Sequence, residues 1–407
     1  MHVSVKRGLA ATSVVAAVLA VVTVASSPAV AADFYTPPSP LPAGQNGDVI
    51  KSQASTYNGA TATRVMYLSR DAKNKAIAVT GTVLVPTKPW SGPGPRPIVA
   101  YSPFTSGMAD HCAPSKTLAG EGGGDIASQT HSLFINPLLE RGIAVAQTDY
   151  QGLGTPGEHT YVVRASEAHT VLDVIRAAQR LPGTGLAPNG PVGITGYSQG
   201  GGGSAAAVEL APEYAPELDV KGAYVGAPPA DKAVLAKSLD GAYAFGFLGF
   251  ALVGINTAYP ETRLVALANE AGADLFVQAT QVCTMDAIFK FAFKQSSSLT
   301  KDGKPVSAYL TQEPFTTVIK DMRIGLRKPT APTLVEHAPL DDIVPYGQGK
   351  QLAKDWCGLG ANVQFRDLLA LPLLPHVFAA QPAAGNSAAW LGDRFAGKTA
   401  TPNCGKF

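Results

Sequence analysis

The chain has 407 residues, of which 46% are hydrophobic and 15% charged; roughly 25% charged is usual for soluble domains. Lys and Arg number 32 against 30 Asp and Glu, which excludes the basic field of a nucleic-acid binder and an acidic field alike. The length exceeds one compact core and implies a core plus an insertion.

The chain opens with Lys6 and Arg7, runs apolar from Leu9 to Ala25, and reaches small residues at Pro28-Ala29-Val30-Ala31-Ala32. That is the pattern of a secretory signal peptide, residues 1–32, with cleavage expected near Ala31 or Ala32 and hence a secreted protein. The competing reading is an uncleaved anchor, for which the alanine-rich run is barely long enough. Without Lys6 and Arg7, basic and acidic residues are equal in number, a composition suited to neutral, greasy substrates.

Residues 33–60 are rich in Pro and Gly and read as an irregular arm. Strands are expected at Ala76–Val85, Pro97–Tyr101 and Gly142–Thr148. Gly152–Gly157 formally fits G-x-G-x-x-G, but Pro156 and Glu158-His159 do not open a glycine-rich helix, so no dinucleotide is expected. Val171, Leu172, Ile175, Ala178 and Leu181 give Ser166–Leu181 the spacing of an amphipathic crossover helix. A strand at Pro191–Thr195 and another at Gly222–Ala227 flank a helix through Ala205–Leu210. Later come a strand at Thr333–His337, a helix from Tyr346 to Trp356 and a strand at Asn362–Leu371. This alternation predicts an α/β fold with a mostly parallel sheet covered on both faces.

The chemistry centres on Gly196-Tyr197-Ser198-Gln199-Gly200. A strand, a sharp turn and a helix of small residues make a nucleophile elbow, which needs glycine on both sides of the serine. Serine needs a general base, and the base an orienting carboxylate, in the order Ser, acid, His. Only His337 and His376 follow Ser198. His376, after the last strand and preceded by Pro375, is the expected base in a late loop. Such acid loops commonly read D-x-x-V-P, and counting back from Pro345 selects Asp341 over Asp342, whose other role is an N-cap for the helix from Tyr346. The oxyanion donors expected are the N–H of Gln199 and one from Phe104 or Thr105, in the loop after the Pro97–Tyr101 strand.

Some hundred residues separate the strands at 222–227 and 333–337, too many for a simple crossover. They read as a mainly helical cap, residues 229–328, inserted between core segments 33–228 and 329–407. Its Phe245, Phe247 and Phe250, with Tyr197 beside the nucleophile, are the expected substrate contacts along an acyl channel; the alternative is that the aromatics form the cap's own core. The four cysteines, Cys112, Cys283, Cys357 and Cys404, lack C-x-x-C spacing, so two disulfides are expected rather than a metal site. Three connectivities are open; Cys112–Cys283 with Cys357–Cys404 is favoured because the second bridge ties down a terminus.

Several segments together resemble the secretory lipases related to fungal lipase A: Gly196 to Gly202, Glu209 to Leu218, Asp110-His111-Cys112-Ala113-Pro114-Ser115, Asp341 to Tyr346 and Trp390 to Gly397. The resemblance implies an α/β-hydrolase with a cap, carboxylic-ester hydrolysis by Ser198, Asp341 and His376, and the disulfide pairing just given. The expected activity is a secreted serine lipase acting on acylglycerols or other lipid esters, in solution or at a lipid–water interface, with no cofactor, metal or obligate protein partner. Rival readings are a short-chain esterase, an acyltransferase to a sugar or lipid alcohol, a peptidase, and a silent binding protein.

Overall fold

Among the described residues one nine-stranded sheet organises the fold, in the order β1-β2-β3-β5-β4-β6-β7-β8-β9. The strands are β1 (Val49–Tyr57), β2 (Ala60–Arg70), β3 (Ala76–Pro86), β4 (Ile98–Ser102), β5 (Ala144–Thr148), β6 (Val192–Tyr197), β7 (Val220–Gly226), β8 (Thr333–His337) and β9 (Val363–Asp367). The computed structural model describes residues 1–4, 33–127 and 129–407; the predicted signal run and its cleavage site lie outside the described residues. Strands β1, β2 and β3 pair antiparallel, and β3 joins β5 antiparallel. From β5 through β4, β6, β7 and β8 to β9 every pairing is parallel.

The arm expected over 33–60 is irregular only as far as residue 48. Val49 onward forms β1, and Tyr57 pairs with Ala60 across a two-residue turn. Asn58-Gly59, with Gly59 at φ +77°, is the turn chemistry that such a hairpin demands.

Side-chain alternation divides the core between the two faces. Ile98, Ala100, Val192 and Ile194 turn to one face, against apolar residues of the helices Arg164–Arg180, Gln199–Tyr214 and Gly347–Gly358. Val99, Tyr101 and Tyr197 turn to the other, against the helices Ser132–Leu139 and Pro375–Phe395. The chain builds β4, moves outward to β5, then crosses back to β6 on the opposite side of β4. Such a switch point opens a crevice at the carboxyl ends of the strands, where ligands bind in open parallel sheets.

Between β7 and β8 the chain forms a run of short helices, from Lys232–Leu239 to Phe315–Met322, around an apolar cluster of their own that includes Phe245, Phe247, Leu248, Phe250 and Phe291. Two disulfides brace the molecule. Cys112–Cys283 joins the segment after β4 to these helices, and Cys357–Cys404 joins the helix Gly347–Gly358 to the C-terminal tail.

Candidate active site

β6 is buried along its whole length and delivers Ser198 to the crevice. Ser198 has φ 59° and ψ −123°, a conformation L residues rarely adopt and one that stores strain. The turn tolerates nothing larger than glycine on either side: a Cβ on Gly196 would lie 2.1 Å from Gly200 O, and one on Gly200 would lie 2.0 Å from Ser102 O. The Ser198 N–H donates to Gly226 O at 3.0 Å, which anchors the turn to β7. The helix Gln199–Tyr214 begins at the next residue, so its unsatisfied N–H groups and positive dipole end face the serine.

β8 and the loop after it supply the acid. Asp341 Oδ1 accepts the N–H groups of Ile343 at 3.0 Å and Val344 at 2.8 Å. Its Oδ2 lies 2.7 Å from His376 Nδ1, and His376 Nε2 lies 2.8 Å from Ser198 Oγ. Burial alone would raise the Asp341 pKa; the charge of His376 and hydrogen bonds from His337 and His376 outweigh it and hold this carboxyl well below the usual range. His376 is not in a loop. It occupies the first turn of the helix Pro375–Phe395, because Pro375 stands at a helix start, where its missing N–H costs nothing.

Three neighbours position this set. Tyr197 is buried, stacks obliquely on the His376 ring at 5.1 Å and donates its hydroxyl to His376 O at 2.7 Å. It supports the histidine. Asp342, expected to cap the following helix, instead accepts the His376 N–H at 3.0 Å and the Tyr243 hydroxyl at 2.9 Å. The other late histidine, His337, is buried, donates through Nε2 to Val344 O at 2.9 Å and comes within 3.3 Å of Asp341 Oδ2. It braces the acid loop.

The loop after β4 faces the elbow. Thr105 binds the Tyr161 hydroxyl through Oγ1 at 2.8 Å, and its carbonyl accepts from Thr284 Oγ1 at 2.7 Å. The Thr284 N–H also donates to Ser106 O at 3.2 Å, beside the Cys112–Cys283 bridge. The ring of Phe104 lies 4.4 Å from that of His131, whose Nε2 pairs with Ser106 Oγ at 2.9 Å; burial pushes the His131 pKa down to about 3. The Phe104 backbone bonds the Tyr101 hydroxyl.

Phe245 lines an apolar cavity within the inserted helices, together with Leu252, Leu275, Leu299 and Phe315. Phe247 and Phe250 do not line it; they are buried, packed on each other at 5.9 Å, with Phe250 also against Tyr161 of the core at 5.6 Å. No residue of the Ser198–His376–Asp341 set borders the cavity. Among the described residues the cluster with metal-ligand spacing is His111, Cys112 and Cys283. Both of its sulfurs are consumed by the disulfide.

A mostly parallel sheet, a serine on a strained strand-to-helix turn and a bonded Ser-His-Asp set at the strand ends define an α/β-hydrolase. The family pattern described as secretory lipase matches residues 123–403, and the chain belongs to that family. A probable inactive lipase of Mycobacterium tuberculosis is 31% identical over 385 residues, covering 90% of this chain and 82% of its own length. Lipase A of Moesziomyces aphidis is 28% identical, covering 85% and 76%. The crystal structure of Candida antarctica lipase A superposes with a TM-score of 0.81 at 26% identity, covering 92% of this chain and 87% of that one. By family and relatives the chain is a hydrolase of the lipase/esterase class.

Proposed function

We propose that the protein is a secreted serine lipase that hydrolyses neutral lipid esters through an acyl-serine intermediate. The observation that carries this reading is the linked set Ser198 Oγ, His376 and Asp341, with contacts of 2.8 and 2.7 Å. His376 Nε2 takes the Ser198 proton while Asp341 holds the imidazole tautomer and stabilises the imidazolium. Ser198 Oγ attacks the ester carbonyl, and the N–H groups of Gln199 and Thr105 receive the oxyanion, each contributing about 3 kcal/mol to lowering the barrier. His376 protonates the departing alcohol; water then enters, gives its proton to His376 and releases the acid. Residues 1–32 serve as signal peptide, and residues 229–328 as a cap over a core formed by 33–228 and 329–407.

The rim of the site supports a lipid substrate. Leu340, Leu369, Leu371, Leu373, Val377 and Phe378 flank the acid and the histidine with exposed apolar side chains, a surface suited to an ester film. One observation favours a second reading, a short-chain esterase: the cap cavity borders none of the three catalytic residues.

The test is hydrolysis of p-nitrophenyl esters from acetyl to palmitoyl by pure protein beside Ser198→Ala. The variant is expected to lose at least about 10⁴-fold in kcat, and the wild type to prefer long chains. Substantial hydrolysis by pure Ser198→Ala would overturn the serine mechanism; activity confined to short chains selects the esterase.

A further inference from the structure

Behind the nucleophile lies a buried polar cluster that the acyl-transfer steps leave unused. Glu167, in the first turn of the helix Arg164–Arg180, is buried. Its Oε1 accepts the Gln199 side-chain amide at 2.8 Å and the Val162 N–H at 3.0 Å. The same Gln199 amide lies 3.2 Å from His159 Nε2, and His159 Nδ1 donates to Gln151 O at 2.9 Å. His159 is therefore a neutral acceptor towards Gln199; burial pushes its pKa down to about 4.

Both bonds to Glu167 Oε1 lead towards the site. Gln199 carries one oxyanion N–H. Val162 follows Tyr161, whose hydroxyl binds Thr105, bearer of the other. Val162 sits at φ 55°, an outlier for a β-branched residue that persists only where its surroundings impose it. The bond to Glu167 Oε1 is one such imposition. Burial pushes the Glu167 carboxyl up, opposed by the Gln199 hydrogen bond, the charge of Lys232 and the Val162 N–H. A carboxyl group buried beside the elbow, with one oxygen shared between the Gln199 amide and the Val162 N–H, points to a task.

We infer that Glu167 is a positioning residue for the oxyanion site: one buried carboxylate oxygen fixes the Gln199 wall directly and the Thr105 wall through Val162 and Tyr161. The inference rests on the serine mechanism proposed above. Its consequence is selective. Slack in this cluster misplaces donors needed in the tetrahedral state and leaves the ester-binding surface intact, so kcat falls and KM does not.

The experiment compares wild type, Glu167→Ala and Glu167→Gln, with kcat expressed per serine titrated by a fluorophosphonate and with affinity measured for an alkyl boronic acid, which mimics the tetrahedral state. Glu167→Ala should lose up to about 100-fold in kcat per titrated serine, keep KM within about twofold, and bind the boronate correspondingly more weakly. Glu167→Gln, whose amide oxygen can still accept both N–H groups, should recover most of the loss. Wild-type kcat per site in Glu167→Ala overturns the inference, as does a kcat loss with unchanged boronate affinity, or a Gln variant as impaired as Ala. Should Glu167→Ala fail to fold, Gln199→Leu removes the bridge and keeps the backbone donor; wild-type kcat there overturns the inference equally. A wild-type protein that the fluorophosphonate does not label would instead sink the serine mechanism itself.

Discussion

Asp341→Asn is the sharpest probe of the acid assignment, because the acceptors and donors around residue 341 dictate how an amide must sit. One side of the carboxylate receives the N–H groups of Ile343 and Val344, and the other faces His376 Nδ1 at 2.7 Å. An asparagine must turn its oxygen to the two N–H groups and its NH₂ to His376. Nδ1 then has to accept, the ring proton moves to Nε2, and Nε2 can no longer take the proton of Ser198. The expected loss is about 10⁴-fold in kcat, or roughly 5 kcal/mol of barrier. Asp342→Asn keeps an acceptor for the His376 N–H and weakens only the bond from Tyr243, so it should cost a few-fold at most. The assay is kcat per titrated serine on a soluble ester for both variants. Equal losses, or an Asp341→Asn enzyme retaining a tenth of wild-type activity, would refute the reasoning. The pH dependence of stability has a defined sign. The folded pKa of Asp341 is depressed, so its contribution is present above the ordinary carboxylate value, about 3.9, and fades as pH falls through that value to the folded one. The stability gap between wild type and Asp341→Asn should therefore narrow below about pH 4, as read by urea titrations.

Tyr197→Phe removes the hydroxyl bond to the His376 carbonyl and should cost about 1 kcal/mol of stability, with a modest fall in kcat and little change in KM. Gly200→Ala forces a Cβ to 2.0 Å from Ser102 O; a destabilisation of about 3 kcal/mol is expected by thermal unfolding, and a wild-type Tm would contradict the elbow argument. Cys357→Ser with Cys404→Ser opens a loop of sequence separation 47, worth about 4 kcal/mol by loop-closure entropy, measured as a shift in urea midpoint. Leu371→Ser with Phe378→Ser should lower turnover on an emulsified ester and spare turnover on a soluble one; equal effects on both would remove the rim from lipid contact.

Legibility followed the range of the interactions. The parallel strands were readable because buried strands are short apolar runs with turn residues between them. The elbow was readable because its serine and both glycines fall within five residues, although the contact that imposes Gly200 comes from Ser102 on another strand. Asp341 and His376 could be selected because this architecture orders its groups Ser, acid, His along the chain, and the structure places His376 within hydrogen-bond reach of both Ser198 and Asp341. The hairpin of β1 and β2 was missed although Asn58-Gly59 announces it; the Pro- and Gly-rich residues before Val49 obscured the alternation after it. His376 was placed in a loop because proline was read as a breaker, when at the first position of a helix it is a starter. The contacts that Tyr197, Asp342 and His337 make with the acid and the histidine were not foreseen, for a different reason. Their roles are bonds to partners brought by other strands and helices, and no local pattern records them. The same holds for Glu167, which meets Gln199 across 32 positions of sequence.

A similar fold can outlive its chemistry, as a relative described as a probable inactive lipase illustrates, so the silent reading must be answered at the site and not by the fold. The strain at Ser198 supports the proposed serine mechanism. A backbone at φ 59° and ψ −123° costs a non-glycine residue about 1–3 kcal/mol, and such strain clusters at working sites. The argument has a measurable form. Ser198→Ala and Ser198→Gly both abolish the hydroxyl bond to His376, but alanine keeps the strained backbone and glycine relieves it. Against that relief stands the extra freedom glycine gives the unfolded chain, about 0.4–1 kcal/mol. The glycine variant should therefore be the more stable of the two by about 1 kcal/mol, a difference of about 2 °C in Tm for a chain of this size. If alanine proves as stable as glycine, the turn stores no strain, and its geometry ceases to argue for a working nucleophile.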